Sequence, residues 1–229
     1  MRRLMNRWRQ KRATNYLFGG EFEKARRLFL KLHAAEPGVP GMRHNLALTY
    51  IGEQRFAEGE RLLLEELSDF GEHYPRLKAL ADLYYMWGRR EAASEFYAQA
   101  LDTDCPEEEK PLIRRRIEIT GDAARFERAR ESLKRLADGN ELLGEDRWEE
   151  ALQAYQTAVE LDETNLQALN NTGTIQLNHA RDPALALETF KRACAWSPLP
   201  WLRSNLMQAQ RALAQREIAS RERKTGKRA

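Results

Sequence analysis

Residues 13–29 read ATNYLFGGEFEKARRLF, residues 47–63 read ALTYIGEQRFAEGERLL, and residues 81–97 read ADLYYMWGRREAASEFY. The three stretches align without a gap at a spacing of 34 residues. Tyr16, Tyr50 and Tyr84 share one column, and Ala13, Ala47 and Ala81 another. Ala25, Gly59 and Ala93 form a third, and Phe29, Leu63 and Tyr97 a fourth. Each column keeps one size class, so the chain carries an internal repeat, and a repeat decides the architecture.

Within each stretch, small and bulky apolar residues recur three or four apart, the pattern of an amphipathic helix. The breaks fall at Gly19-Gly20, at Glu53-Gln54-Arg55 and at Gly88, where the chain turns between two helices. Small residues such as Ala13 and Ala25 let two helix backbones approach, and the bulky column fills the space between them. Pro37 and Pro106 stop the second helices of the first and third units. One helix pair cannot bury its apolar face alone, whereas stacked pairs can.

The period and columns resemble the tetratricopeptide repeat (TPR), whose signature runs W-x2-L-G-x2-Y, then A-x3-F and a late proline. The first unit (about 6–39) supplies Ala13, Tyr16, Gly20, Ala25, Phe29 and Pro37 at those places. The second (about 40–73) supplies Leu46, Ala47, Tyr50, Phe56 and Gly59, with Gly71 in place of the proline. The third (about 74–107) supplies Leu80, Ala81, Tyr84, Gly88, Ala93, Tyr97 and Ala100. None of the three has the signature tryptophan. The phase then jumps. A fourth unit (about 132–165) supplies Gly139, Trp148, Ala151, Tyr155 and Ala158. A fifth (about 166–199) supplies Gly173, Ala186, Phe190, Ala193 and Pro198, with one extra residue in its turn before Asp182-Pro183.

The resemblance implies an all-α chain, a right-handed superhelical array of antiparallel helix pairs (a TPR α-solenoid). Residues 1–107 form a basic N-terminal end and three units, and residues 132–199 two more. Residues 108–131 read as an irregular helical connection, a short helix at about 107–119 and a long one starting near Asp122. They are either a degenerate repeat or a joint. Residues 200–229 form a capping helix carrying Leu202, Leu206, Ala209 and Leu213, followed by a basic tail expected to fray from Thr225.

The net charge of +3 hides a division. Residues 1–20 carry +6 with no acid, and residues 211–229 carry +5, so the body between them carries −8. The basicity therefore belongs to the ends, which weakens any reading of the folded surface as a nucleic-acid site. No apolar run approaches the roughly 20 residues of a membrane span, and the basic N-terminus lacks the apolar core of a secretory signal. Cys105 and Cys194 stand far apart and read as free thiols of a reducing compartment.

No catalytic or metal-ligating constellation emerges, and no cofactor is expected. His33, His44, His73 and His179 share no ligand spacing with one another or with the cysteines. His33 and His179 read as capping or exposed residues at helix ends. The carboxylates alternate with Lys and Arg, as in Glu107-Glu108-Glu109-Lys110, the mark of a solvated helix face. The sequence therefore reads as non-enzymatic. Trp87 and Trp148 read as packing residues, and Trp196 and Trp201 as seats for the last helix.

In the resembling family the first helices of successive units line a concave groove for an extended peptide or a partner helix. By position, that face holds His44, Asn45 and Leu48, then Lys78, Asp82 and Tyr85, then Asn140, and finally Asn170, Asn171 and Thr174. Amides can bond a peptide backbone as donor and acceptor, and apolar neighbours offer pockets. One TPR subclass grips the C-terminal carboxylate of chaperones with a Lys/Asn/Asn/Lys/Arg clamp. Only Asn45 matches here, and Gln10, Thr14, Pro75 and Ala79 replace the rest, so the cations a carboxylate needs are missing.

The reading that follows is a cytoplasmic adaptor, assembly factor or chaperone-like scaffold for a protein or peptide partner. Self-association is compatible with it. An alternative is a peripheral scaffold whose acid-free N-terminus (Arg2, Arg3, Arg7, Trp8, Arg9) lies on an anionic membrane surface. Nucleic-acid binding through the basic ends ranks third.

Overall fold

The computed structural model describes residues 2–226, with side chains from Met5 to Ser220. Among the described residues there are twelve helices and no strand. Two compact units divide the chain, residues 1–105 and 106–229.

The first unit contains three helix pairs. They are α1 (Arg2–Phe18) with α2 (Phe22–Ala35), α3 (Met42–Gly52) with α4 (Phe56–Phe70), and α5 (Tyr74–Trp87) with α6 (Arg90–Asp102). Each helix packs on the next in chain order, and the first helices α1, α3 and α5 are also neighbours. The second unit begins with α7 (Lys110–Gly121) and the long α8 (Ala123–Gly144). It continues with α9 (Trp148–Leu161), α10 (Leu166–Asn178), α11 (Pro183–Trp196) and α12 (Pro200–Gly226). Here α8 packs on α9, α9 on α10, α10 on α11, and α11 on α12.

The size columns have the expected physical cause. Ala13, Ala47 and Ala81 are fully buried, as are Ala25, Ala93, Ala151 and Ala186. The bulky column (Phe29, Leu63, Tyr97, Tyr155, Phe190) is buried against them. Gly139 and Gly173 occupy the alanine column in the fourth and fifth units. A Cβ on Gly139 would lie 2.5 Å from the Tyr155 ring, and one on Gly173 2.7 Å from the Phe190 ring. The glycines let those rings lie against the helix backbone.

The inter-helix turns repeat at the level of single dihedrals. Gly20, Gln54, Gly88, Asp146 and Arg181 all have positive φ, between 54° and 84°. At the first four, the amide that follows the positive-φ residue donates to a carbonyl five residues back: Glu21 to Tyr16, Arg55 to Tyr50, Arg89 to Tyr84 and Arg147 to Leu142. These are Schellman closures, which satisfy carbonyls that the helix end leaves open. The fifth turn has its extra residue, and there Asp182 N–H reaches back to Gln176 instead. Asp182 then caps α11 by accepting from Leu185 N–H, with Pro183 in the first helical turn.

Residues 108–131 are α7 and the start of α8, separated by Asp122, whose side chain accepts from Arg125 N–H at 2.9 Å. Both helices sit within the second unit. α7 packs on α8 and α11, and its arginines reach the α9–α10 loop. Arg115 Nε donates to Glu163 at 2.6 Å, and Arg116 to the Thr164 carbonyl at 2.9 Å. The last helix, α12, buries Leu202 and Ala209. Leu202 joins a core with Trp196, Leu199 and Trp201 at its edge, so the two tryptophans seat the start of α12.

Candidate interaction site

The positions singled out for a groove lie on first helices: His44, Asn45 and Leu48 on α3, Lys78, Asp82 and Tyr85 on α5, Asn140 on α8, and Asn170, Asn171 and Thr174 on α10. The first unit holds the α3 and α5 sets, and the second holds the α8 and α10 sets.

On α5 the polar residues already have partners. Lys78 Nζ lies 2.7 Å from Asp82 Oδ2, and the Tyr97 hydroxyl donates to Asp82 Oδ1 at 2.6 Å. Tyr85 is 1% exposed and packs edge-on against Tyr97, with ring centroids 6.2 Å apart. It therefore offers a partner no surface and serves as support beneath the face. The sequence could not separate it from Tyr84, because the aromatic pair straddles the boundary of the apolar stripe.

On α3, His44, Asn45 and Leu48 are half-buried. Neither His44 nor Asn45 makes a side-chain hydrogen bond among the described residues. Burial pushes the His44 imidazole below its ordinary pKa, an effect opposed by the Glu66 carboxylate and reinforced by Lys78 and Arg76.

In the second unit the asparagines form a connected row. Asn140 Oδ1 accepts from the Tyr155 hydroxyl at 2.8 Å and from Asn171 Nδ2 at 3.1 Å. Asn170 Nδ2 faces Asn171 Oδ1 at 3.4 Å, and Asn205 Nδ2 donates to Asn170 Oδ1 at 2.7 Å. The row crosses α8, α10 and α12. Thr174 is half-buried beside it. Asn205 escaped the sequence reading because α12 lies outside the repeat register, although a lone asparagine one helix beyond the row was a visible signal.

Two pockets in the first unit share one register. The first (490 Å³) has Asn6, Gln10, Leu32 and Val39 among its walls, and the second (350 Å³) has Pro40, His44, Glu66 and His73 at the positions 34 residues later. At this place the repeat has Leu32, Glu66, Ala100, Ala158 and Ala193, so one buried carboxylate stands in a column of buried apolar side chains. The sequence reading missed Glu66, since a charge at the end of a helix reads as solvated unless the column is followed through all units.

The N-terminal set divides. Arg2 and Arg3 lie outside the residues whose side chains are described. Arg7 is exposed, Arg9 half-buried, and Trp8 59% exposed, with the Arg12 guanidinium 5.3 Å from its ring centroid. His33 is not simply exposed: its Nδ1 is buried without a hydrogen-bond partner. His179 stacks on Trp148, ring centroids 5.8 Å apart. Among the described residues no group of three or more His, Cys, Asp or Glu is placed to hold a metal ion, and no helix is long and apolar enough to cross a membrane.

No family model and no curated protein matches the chain. Among solved structures it is similar to the TPR2AB domain of yeast Sti1 in its pHSP90 complex, at 13% identity over 94% of this chain and 86% of that one, with a TM-score of 0.46. It is similar to YrrB, described as a TPR protein with an unusual peptide-binding site, at 15% identity over 89% and 90%, TM-score 0.42. MamA of AMB-1 follows at 15% identity over 83% and 97%, TM-score 0.43. By the pairing of its helices and the shared register of its buried columns and turns, the chain is an all-α array of antiparallel helix pairs, similar in fold to tetratricopeptide-repeat proteins.

Proposed function

We propose that the protein is a non-catalytic scaffold that binds a segment of a protein partner along the first helices of its units. The observation that carries this reading is the row Asn140–Asn171–Asn170–Asn205, which puts carboxamides from three helices side by side at the surface of the second unit. Each carboxamide carries two donors and an acceptor, more than its row neighbours consume, so the row can bond an extended main chain. In the first unit, half-buried His44, Asn45 and Leu48 offer the same mixture of polar and apolar contact. Lys78 and Asp82 act there mainly as a fixed, paired support. The compartment that suits such a scaffold, whose two cysteines form no disulfide, is the cytoplasm.

Affinity capture from native lysate at moderate salt, followed by identification of the retained proteins, tests this. The wild type should retain a discrete protein, and Asn171→Ala together with Asn205→Ala should weaken capture at unchanged helicity. Equal capture by the variant would count against the row as the contact surface.

A second reading rests on Trp8 and Met5, both exposed on α1 among Arg7, Arg9 and Arg12. A tryptophan and a methionine three apart in an acid-free helix suit an anionic membrane surface. Because α1 also buries Ala13 and bonds Glu36 through Asn6, the test is Trp8→Ser with Met5→Ser rather than a deletion. Sedimentation with phosphatidylserine vesicles that is absent, or indifferent to these changes, removes this reading.

A further inference from the structure

Glu66 carries a buried carboxylate with one oxygen unmet. Its side chain is 1% exposed. Oε1 accepts from Gly41 N–H at 2.6 Å. Oε2 is buried and accepts no hydrogen bond. The nearest cations stand off, Arg43 Nε at 3.8 Å from Oε2 and Arg76 Nε at 3.9 Å from Oε1. Both guanidiniums are engaged elsewhere, Arg43 with Asp69 and Arg76 with the carbonyls of Phe70 and Gly71. An orphaned buried acceptor costs stability that a leucine in the same place, as at Leu32, does not. Glu66 lines the 350 Å³ pocket together with His73, Arg76 and the rings of Pro40 and Pro75, and with His44 and Asn45, whose side chains have no hydrogen-bond partners among the described residues.

The chemistry of this lining narrows what completes it. Oε2 needs a donor. A further cation would meet Arg43 and Arg76, and an anion would meet Glu66 itself. Asn45 and the neutral His44 can each donate, so an acceptor beside the donor is also served. With Glu66 and Arg76, of opposite charge, both in the lining, a group without net charge is favoured. We propose that this pocket binds an uncharged primary carboxamide, presented by a partner segment as the side chain of glutamine or asparagine. The proposal rests on the partner-binding reading above and names the chemistry recognised at one place in it. The equivalent pocket of the preceding repeat has Leu32 in place of Glu66; its carboxylate, Glu36, is exposed and already accepts from Asn6, so that pocket offers no unmet buried acceptor and does not discriminate in this way.

Three probes of one size decide it: propionamide, propylammonium and propionate, each titrated into the intact protein and followed by two-dimensional 1H–15N NMR. Propionamide should shift the backbone signals of Gly41, His44 and Asn45 saturably, with no saturable shift at Arg7 or Gln10 in the equivalent pocket. Glu66→Leu should abolish the saturable response. Preference for propylammonium would make this a cation site, and preference for propionate an anion site held by Arg43 and Arg76; either overturns the proposal. So does the absence of saturation by all three. Should Glu66→Leu fail to fold, the three-probe comparison on the unmodified protein still decides. The titration needs no partner, so its failure leaves the capture experiment, and the scaffold reading, standing on their own result.

Discussion

The Tyr97 hydroxyl donates to Asp82 Oδ1 at 2.6 Å, and 58 residues later the Tyr155 hydroxyl donates to Asn140 Oδ1 at 2.8 Å. The two bonds occupy one register of the repeat. Where the bulky column has no hydroxyl, the partner position needs no carboxylate or amide: Thr14 faces the register of Phe29, Leu48 that of Leu63, and Thr174 that of Phe190. Asp82 and Asn140 thus answer a buried phenol from within the fold. Asp82→Leu should destabilise the protein by about 1–3 kcal/mol, the cost of an unpaired polar group. Tyr97→Phe in the same chain should return part of that loss. A urea-unfolding double-mutant cycle measures the coupling, and strict additivity would show that the bond carries no stability.

Gly139 tests the close approach in the second unit. In an open helix, Gly→Ala gains up to about 1 kcal/mol from propensity. Here the new Cβ would stand 2.5 Å from the Tyr155 ring, and overpacking costs typically about 1–3 kcal/mol. Gly139→Ala should therefore lower the unfolding midpoint. Gly144 has nothing within 4 Å of such a Cβ, so Gly144→Ala is the control that should not lower it.

The second turn places Gln54 at φ 58°, in a register held by Gly20 and Gly88. A side chain in the left-handed region costs roughly 1 kcal/mol, partly offset by the greater entropy glycine loses on folding. Gln54→Gly should raise thermal stability by a few tenths to about 1 kcal/mol. Unchanged or lowered stability in a thermal melt would mean that Gln54 contributes contacts outweighing its backbone strain.

His44 sets a pH dependence with a definite sign. Burial lowers its pKa in the folded chain below the ordinary 6.5. Below about pH 6.5 the unfolded chain therefore binds a proton that the folded chain does not, and stability falls until the folded imidazole also titrates. Urea unfolding from pH 7.5 to 5 should show this loss, and His44→Gln should flatten it. Parallel curves for the two proteins would assign the dependence to other groups.

The amino-acid sequence by itself determined the helix pairs, their 34-residue period, the turn positions and the small and bulky columns. These are carried by neighbours three or four residues apart and by the volume available between two helices, both written locally in the chain. Even the displaced fifth turn was legible, because Asp182-Pro183 is a strong helix start.

The state of the polar residues was decided only by tertiary structure. On paper Lys78, Asp82, Asn140 and Asn171 look alike as exposed first-helix residues, and Tyr85 looks like a groove aromatic. In the fold Asp82 is tied to Tyr97, Asn140 and Asn171 to each other, and Tyr85 is under the surface. Glu66 reads as one more solvated acid, yet it is buried with an oxygen unmet. Whether a polar atom is free depends on partners 15, 25 or 31 residues away and on how far each helix is rotated about its axis. That rotation is set by packing against the next pair, which local periodicity leaves uncertain by about one residue's width on the helical face.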